Sequence, residues 1–274
     1  MASASTARRP PRVLPYASTA ELYDRIYSWK DYAAESRQIV AWVRRFGRPH
    51  SRSLLDVACG TGAHLAYLSR TFEATGVDVN EGMLSVARRK LPRVRFVRGR
   101  MESFRLGRRF DAITCLFSAI GYLPNESELR RTLRNFARHL KPGGVAIVEP
   151  WLTRAKYRTG AIHAQILGTP DDPIVRMNIS GRRGNRSIMD QHHLIATPHG
   201  IRHWVERYDL GLFEVATFLA AFRAAGFRVQ FRRRGFMKGR GVYVAVLRSP
   251  RGAAHLRPRR LTRGSSSSRR EPGN

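Results

Sequence analysis

Short apolar runs alternate with amphipathic stretches along most of the chain. Short apolar runs predict buried strands, and apolar residues at helical spacing predict helices. The predicted strands are residues 54–57, 74–77, 110–117, 145–148, 227–231 and 241–247, with a further strand that ends at 96–97. The predicted helices begin near residue 65 and cover residues 129–140 and 213–225. Strands that alternate with helices in this way predict a doubly wound, mostly parallel α/β sheet.

The segment from Trp151 to Leu210 does not continue this alternation. It contains polar and apolar residues in alternation at 174–179, 187–196 and 201–210, with turn residues at 181–184 and 197–200. Period-two runs that are separated by turns predict antiparallel strands. We therefore expect an antiparallel insertion of about three strands after the fifth strand of the main sheet, where it would cover the ligand crevice.

Part of the formal net charge of +30 lies at the two ends of the chain. Residues 1–15 contribute +3 and residues 248–274 contribute +7, so +20 remain between them. Both end segments are rich in Ser, Pro and Arg and poor in large apolar side chains, which predicts disordered tails around one domain, residues 16–247. The basic C-terminal tail would contact nucleic acid only non-specifically.

Several features of the sequence indicate the cellular compartment of the protein. The two cysteines, Cys59 and Cys115, lie in or beside predicted strands, which is typical of a reduced protein rather than of a disulfide framework. No apolar run reaches the roughly eighteen residues of a membrane span. The N-terminal segment is acid-poor, like a transit peptide, but its prolines would interrupt the required amphipathic helix. The sequence therefore predicts a cytoplasmic protein.

Two pairs of neighbouring residues, Asp171–Asp172 and His192–His193, have the side chains of metal ligands. Adjacent residues on a strand point to opposite faces, so each pair offers only one ligand to a face. We therefore expect no metal site.

The most informative segment is Leu54–Gly62, where a buried strand leads into a loop of small residues that precedes a helix. Such a loop lets a ligand approach the backbone closely. The third glycine of a dinucleotide fingerprint is absent, since Leu65 stands in its place. Asp56 lies within the strand, and Asp78 ends the next strand, where a carboxylate can accept hydrogen bonds from ribose hydroxyls. The alternative is a glycine turn that binds no ligand.

The charge of the central part favours an anionic small molecule, such as a nucleotide diphosphate. The planar fork of an arginine matches two phosphate oxygens at once. The candidate phosphate ligands are Arg176, Arg182, Arg183, Arg186 and Arg240.

The D-x-A-x-G-x-G loop, with an acid sixteen residues after its last glycine, resembles the cofactor loop of class I S-adenosylmethionine (SAM) methyltransferases. Other segments narrow the resemblance to the N,N-dimethyltransferases of nucleotide-linked aminodeoxysugars, which serve macrolide biosynthesis. These segments are Ala20–Asp24, Lys30–Tyr32, Phe104–Phe110, Phe117–Leu123, Glu149–Trp151 and Gly239–Gly241. The resemblance implies a Rossmann-like, seven-stranded methyltransferase sheet with the insertion, residues 151–210, as a lid. It also implies a homodimer to which the inserted sheet contributes.

The resemblance also implies a role for individual residues. Those expected at the cofactor are Tyr23, Tyr32, Ala58, Gly60, Asp78, Arg100, Met101 and Phe117. Those expected at an anionic nucleotide sugar are Tyr16, Tyr122, Trp151, Arg176, Ser180 and Arg240. Arg100 departs from the family, which has an acid there that accepts a hydrogen bond from the adenine amino group. A guanidinium cannot accept, so either Glu102 or a backbone carbonyl would replace that acid, or the cofactor would be bound more weakly.

The expected reaction is an in-line displacement in which a neutral amine takes the SAM methyl group. Tyr122 would hydrogen-bond the amine and orient it, because a phenol with an ordinary pKa near 10 is a poor base. Alternatively, Tyr122 only walls the crevice. The acceptor could instead be another small molecule, methylated on oxygen or carboxylate, or RNA, although the Asn/Asp-Pro-Pro-Tyr/Phe segment of amino-directed nucleic-acid enzymes is absent. A SAM-binding module without catalysis is the non-enzymatic alternative.

Overall fold

The computed structural model describes residues 20–169, 171–197 and 199–249. The strands are β1 Ser53–Val57, β2 Glu73–Asp78, β3 Arg95–Arg98, β4 Phe110–Cys115, β5 Leu140–Val148, β6 Ile162–Thr169, β7 Asp172–Arg183, β8 Arg186–Thr197, β9 Gly200–Gly211, β10 Phe227–Arg232 and β11 Val242–Leu247. The helices are α1 Tyr23–Ile26, α2 Tyr32–Phe46, α3 Leu65–Leu68, α4 Glu81–Lys90, α5 Glu126–His139 and α6 Val215–Ala224. The disorder predicted for the tails concerns segments that lie almost entirely outside the described residues.

Seven strands form the main sheet, in the order β10-β11-β5-β4-β1-β2-β3. Strand β11 runs antiparallel to both of its neighbours, and the other neighbouring strands pair in parallel. The predicted seven-stranded α/β sheet is thus confirmed. The strand order reverses between β1 and β4, and ligands of open α/β sheets bind at the carboxyl ends of the strands beside such a point.

Helices cover both faces of this sheet. Helices α5 and α6 pack on one face, for example through the fully buried Phe136 and Phe222. Helices α2, α3 and α4 pack on the other, where Ile39, Leu65 and Leu84 are fully buried. The central strands β1 and β4 are buried along their whole length because both faces are covered.

The boundaries around α5 differ from the predicted ones. Asn125 caps the helix by accepting a hydrogen bond from the Glu128 N–H at 3.0 Å, so the helix begins at Glu126 rather than at residue 129. Strand β5 begins at Leu140, immediately after the helix, and not at Val145. The register between β4 and β5 shifts between Phe110 and Ala112, so the extra residues at the start of β5 are accommodated by an irregularity.

The insertion is an antiparallel sheet of four strands, β6-β7-β8-β9, rather than the three that were expected. The strand that the sequence did not predict is β6, at the edge of the sheet. Ile162 and Ile166 of this strand are 71% and 78% exposed, and polar residues and a glycine interrupt its apolar residues. Its pairing with β7 from Ile162↔Ile179 to Thr169↔Asp172 defines it as a strand.

Within the described ranges, no helix has both the length and the apolar character that a membrane crossing requires. Cys59 and Cys115 are free and buried. His192 and His193 point to opposite faces of the sheet, as predicted, with His193 buried and His192 exposed. The cytoplasmic location and the absence of a metal remain predictions.

Candidate active site

A crevice opens at the carboxyl ends of β1 and β4, beside the first α-helices of the chain. Its lining combines the glycine loop after β1 with side chains of the N-terminal segment and of the loop after β4. The residues are Tyr23, Tyr32, Asp56, Ala58, Cys59, Gly60, Ala63, His64, Leu116 and Phe117. Five of the eight residues expected at the cofactor therefore line one crevice, at the place that the topology favours.

The loop after β1 exposes its backbone to this crevice. Ala58, Gly60 and Gly62 have φ angles of 58°, 54° and 74°, a region that favours glycine. A Cβ on Gly60 would meet no atom within 4 Å, so its Cα faces open space. A Cβ on Gly62 would lie 3.1 Å from Leu91 Cδ1, so this glycine allows close packing under the loop. The loop thus offers a ligand a cradle that a side chain at position 60 would fill.

Asp78 fixes the loop from the end of β2. Its Oδ2 accepts a hydrogen bond from the Gly60 N–H and its Oδ1 accepts one from the Asn80 N–H, each at 2.8 Å. Burial raises the pKa of this carboxyl above its ordinary value, although the backbone N–H groups oppose the shift. Each oxygen keeps a further lone pair, so the carboxylate can still accept from a ribose hydroxyl.

Asp56 lies beneath the loop and is almost completely buried. Thr114 Oγ1 donates to its Oδ1 at 2.7 Å, yet burial raises the pKa of Asp56 to about 7. A carboxyl group of this kind changes its charge near neutral pH, beside the place where a cofactor would bind.

Phe117 and Ser118 make a tight turn after β4. Their φ angles of 51° and 62° place two consecutive side-chain-bearing residues in the left-handed region, which is costly and requires support. Glu149 gives that support, since its Oε2 accepts from the Phe117 N–H at 2.7 Å. Ser118 Oγ donates to the Pro150 carbonyl at 2.6 Å. Among the described residues, Glu149 Oε1 is buried and has no hydrogen-bond partner.

The same turn holds Arg240. Its Nη1 donates to Ser118 Oγ at 3.0 Å, and its guanidinium carbon lies 4.4 Å from the centroid of the Trp151 ring. Trp151 Nε1 in turn donates to Ser187 Oγ on β8 at 3.0 Å. Two residues predicted from distant segments, Arg240 and Trp151, are therefore in contact beside the crevice.

Aromatic residues of the N-terminal segment cover the crevice. The centroid of the Tyr27 ring lies 4.7 Å from that of the Tyr23 ring and 4.9 Å from that of the Phe117 ring. Tyr32 meets His64 edge to face at 4.8 Å, and the Tyr32 hydroxyl is buried without a hydrogen-bond partner in the described part of the chain. An unsatisfied buried hydroxyl is costly, so it is available to a ligand.

Three ionisable residues beside Tyr32 form a connected group that was not predicted from the sequence. The buried Lys30 pairs with Glu35, and Glu35 Oε2 lies 2.8 Å from His64 Nε2. The Lys30 Nζ also lies 4.9 Å from the centroid of the Phe117 ring. The Lys30–Tyr32 segment was singled out as a motif, but nothing in it indicated that Glu35 and His64 would join it.

The inserted sheet packs against aromatic residues that line the crevice, among them Tyr23 and Phe117. Tyr122 and Trp151 pack against Met189, Tyr208 and Leu210 of this sheet. Arg176 of β7 lies farther along, where its guanidinium carbon is 5.4 Å from the centroid of the Tyr27 ring. Ser180 is buried at the end of the same face. The structure therefore places Tyr122, Trp151, Arg176 and Ser180 on or against the inserted sheet and Arg240 beside Trp151, whereas Tyr16 lies outside the described residues.

Arg100 and Met101 are not among the residues that line the crevice. Arg100 is 68% exposed and its Nε pairs with Glu102, so the guanidinium is directed to solvent. Met101 packs at the edge of the core, and its carbonyl accepts from Asn135 Nδ2 at 3.2 Å. Their predicted cofactor contacts remain predictions.

Three arginines that were candidate phosphate ligands lie elsewhere. Arg182 bonds the Gly184 carbonyl and Arg183 pairs with Asp209, at the β7–β8 turn. Arg186 pairs with Asp209 and donates to the Leu123 and Pro124 carbonyls, which ties the inserted sheet to the main domain. These contacts give all three arginines a structural explanation.

Comparison with known proteins places this geometry among methyltransferases. Residues 54–144 match a family model described as a methyltransferase domain. A dTDP-3-amino-3,4,6-trideoxy-alpha-D-glucopyranose N,N-dimethyltransferase of Streptomyces venezuelae is 41% identical over 231 residues, which are 83% of this chain and 97% of that protein.

Solved structures agree with this match. The sugar N-methyltransferase KedS8 from Streptoalloteichus is 37% identical and superposes with a TM-score of 0.80, covering 91% of this chain and 99% of that one. CalS10, an amino pentose methyltransferase from Micromonospora echinaspora solved with SAM bound, is 34% identical with a TM-score of 0.76, covering 82% and 96%.

Proposed function

The chain belongs to the family of SAM-dependent dTDP-aminosugar N,N-dimethyltransferases, and we propose that it methylates the amino group of a nucleotide-linked aminodeoxysugar. One observation carries the proposal. The crevice is lined on one side by the glycine loop, which Asp78 holds, and on the other by Phe117, whose neighbour Ser118 accepts from Arg240 beside Trp151. The first half suits a nucleoside cofactor, and the second half suits an anionic acceptor.

The residues present fit SAM. The open cradle at Gly60 would receive its methionyl part, the free lone pairs of Asp78 its ribose hydroxyls, and the unpartnered Tyr32 hydroxyl a polar group near them. When bound, SAM supplies a methyl group that its sulfonium already activates. The protein therefore needs mainly to position the acceptor and to exclude water, and correct alignment can supply roughly 7–11 kcal/mol.

The acceptor side would be held by charge and stacking. Arg240 is fixed by Ser118 and by the Trp151 ring, so its planar fork is presented in one orientation to a diphosphate. Arg176 adds a second positive charge on the inserted sheet. Tyr122 packs with Trp151 against this sheet, and its hydroxyl would orient the amine.

Calorimetry tests the proposal directly. We expect SAM to bind, and thymidine diphosphate to bind at a separate saturable site. Arg240→Met should weaken the nucleotide at least about tenfold and leave SAM unchanged, since it removes a charged contact of about 1.5–3 kcal/mol. Mass spectrometry should then detect one or two added methyl groups on a dTDP-aminosugar. SAM binding without a nucleotide site would refute the sugar-nucleotide acceptor.

We also propose that a second copy of the chain covers the outer face of the inserted sheet. Aliphatic side chains are exposed along this face, namely Ile162, Ile166, Met177, Ile179, Leu194 and Ile201. A contiguous exposed apolar surface of this kind favours an interface. Light scattering should give a dimer for the native chain and a monomer for Ile166→Lys with Ile179→Lys, whereas Tyr67→Lys on the main domain should stay dimeric. A monomeric native chain would refute the interface.

A further inference from the structure

We propose that Glu206, acting through the hydroxyl group of Tyr208, accepts the proton that the acceptor amine must lose before methylation. This inference rests on the proposed function. A free aliphatic amine is largely an ammonium ion at neutral pH, as the ordinary lysine pKa of about 10.4 illustrates, and an ammonium has no lone pair for the methyl group. The crevice therefore needs a group to which this proton can go.

Glu206 and Tyr208 form a buried pair on the inward face of β9. Glu206 is fully buried, and the Tyr208 hydroxyl donates to its Oε2 at 2.9 Å. Tyr208 belongs to the cluster against which Tyr122 and Trp151 pack, two residues of the proposed acceptor side. The phenol thus stands between the expected position of the amine and a carboxylate behind it.

Other ionisable and polar groups face this pair from each neighbouring element. Gln191 lies opposite Glu206 on β8, and His193 Nε2 lies 3.9 Å from Glu206 Oε2. Arg176 lies opposite His193 on β7. Tyr27 from α1 and Tyr122 from the turn after β4 are close enough to Tyr208 to raise its pKa further, in addition to its burial.

His193 is the obvious alternative acceptor, and its environment opposes that role. Burial and then the nearby Arg176 lower the pKa of His193 to about 4. The lowered pKa keeps this ring uncharged at neutral pH, so it offers an ammonium no negative charge, and the Tyr208 hydroxyl donates its hydrogen bond to Glu206. Burial keeps the Tyr208 phenol neutral by raising its pKa, so it can transmit a proton without becoming a lasting phenolate.

A negative charge at this position also balances the site. The groups around the crevice include Lys30, Arg176 and Arg240, which suit a diphosphate but repel an ammonium. Charges in a buried site are screened less than in water, so a carboxylate there would attract the acceptor ammonium strongly. Glu206 would therefore place a negative charge of the protein beside the amine end of the acceptor, whereas the phosphate end would meet positive charges.

The proton transfer is balanced as follows. An N–H bond of the ammonium breaks as the Tyr208 oxygen takes that proton, and the Tyr208 proton passes to Glu206 Oε2. The nitrogen keeps the electron pair with which it takes the methyl group, and Glu206 becomes a neutral acid. The proton returns along the same path to solvent before the next turnover, so one proton is released for each methyl group transferred.

The test compares Glu206→Gln, Tyr208→Phe and the double variant, with Asp190→Asn as a control. Asp190 pairs with Arg207 on the outer face of the same sheet, so its variant also removes a carboxylate from this sheet. With dTDP-3-amino-3,6-dideoxyglucose as acceptor, we expect Glu206→Gln to lower kcat at pH 7 at least about tenfold, and the deficit to shrink near pH 9.5, where more of the amine is already neutral. The double variant should be no slower than the slower single variant, because both changes interrupt one path.

A binding readout without turnover accompanies the kinetics. In the presence of S-adenosylhomocysteine, calorimetry compares the amino sugar with dTDP-6-deoxyglucose, which carries a hydroxyl group instead of the amine. We expect Glu206→Gln to weaken only the amino sugar, by about tenfold, since only that ligand carries the charge. Asp190→Asn should change neither result.

Three results for Glu206→Gln would overturn the inference. These are a loss of kcat that is equal at every pH, a kcat within about twofold of the native value, or an equal loss of affinity for both sugars. Unfolding curves show whether each variant is folded. If Glu206→Gln does not fold, the kinetics of Tyr208→Phe, which removes only one hydroxyl group, test the inference. A native chain that binds SAM but methylates none of a panel of dTDP-aminosugars would refute the proposed function itself, and the inference with it.

Discussion

Replacing Asp78 by asparagine separates the structural role of this residue from its role in binding the cofactor. Both carboxylate oxygens accept a backbone N–H, from Gly60 and from Asn80. An amide has only one acceptor oxygen, so its NH2 group would face one of these two donors. A buried donor left without an acceptor costs about 1–3 kcal/mol, and we expect the free energy of unfolding without ligand to fall by that amount.

We also expect Asp78→Asn to weaken the binding of SAM. In the proposed complex the ribose hydroxyls donate to an ionised carboxylate, and such a hydrogen bond is worth about 1.5–3 kcal/mol. Its loss corresponds to an increase of about 10-fold to 150-fold in the Kd for SAM. Chemical denaturation measures the first quantity, and calorimetry with SAM measures the second.

Asp111→Asn is the matched control. Asp111 Oδ2 accepts from the N–H and the Oγ of Ser53, and Lys141 pairs with the same carboxylate, at the opposite end of the sheet from the crevice. This variant should lose stability to a similar extent and keep its affinity for SAM. The reasoning is refuted if Asp78→Asn binds SAM within about threefold of the native chain, or if both variants bind it equally weakly.

Further predictions follow from the same crevice. Because the pKa of Asp56 is raised to about 7 and SAM is a cation, SAM should favour the ionised form, so its affinity should fall below pH 7 by up to about tenfold for each pH unit. Calorimetry across this range should show the slope, and Asp56→Asn should remove it. Arg240→Lys should raise the KM for the nucleotide sugar about tenfold in steady-state assays, since lysine lacks the fork that stacks on Trp151; an unchanged KM would place the phosphates elsewhere. Gly60→Ala and Gly184→Ala, both at positive φ and in open space, should each cost about 1–2 kcal/mol of stability, but only Gly60→Ala should also weaken SAM.

Strong local patterns made the main sheet predictable. Apolar residues occupy most positions of the fully buried β1 and β4, and the loop after β1 contains its own glycines, so local patterns were enough to predict both. The start of α5 was placed too late because Asn125, and not the first apolar residue of the helix, defines the N-terminus. Strand β6 was missed because Ile162 and Ile166 are exposed and polar residues interrupt its apolar pattern, so that only the pairing with β7 identifies it.

The candidate site was predictable where a motif carries its own geometry. Ala58, Gly60 and Asp78 could be named because a strand, a glycine loop and the next strand fix their positions within one βαβ unit. Arg240 and Trp151 were named as separate segments, and their contact follows from the way β5 and β11 lie side by side. The sequence pattern of either segment alone gives no information on the distance between Arg240 and Trp151.

The sequence by itself determined the class of this protein, because the order of apolar runs and the glycine loop specify a parallel sheet with a crevice at its carboxyl edge. Only the tertiary structure decided which charges meet there. Glu149 supports the Phe117 turn across two strands, and Glu206 lies behind Tyr208 in a sheet whose inward face depends on its packing against α1 and the turn after β4. The physical reason is that hydrophobic periodicity fixes which face of each element is buried, whereas the pairing of side chains and their proton affinities depend on neighbours that are distant in sequence.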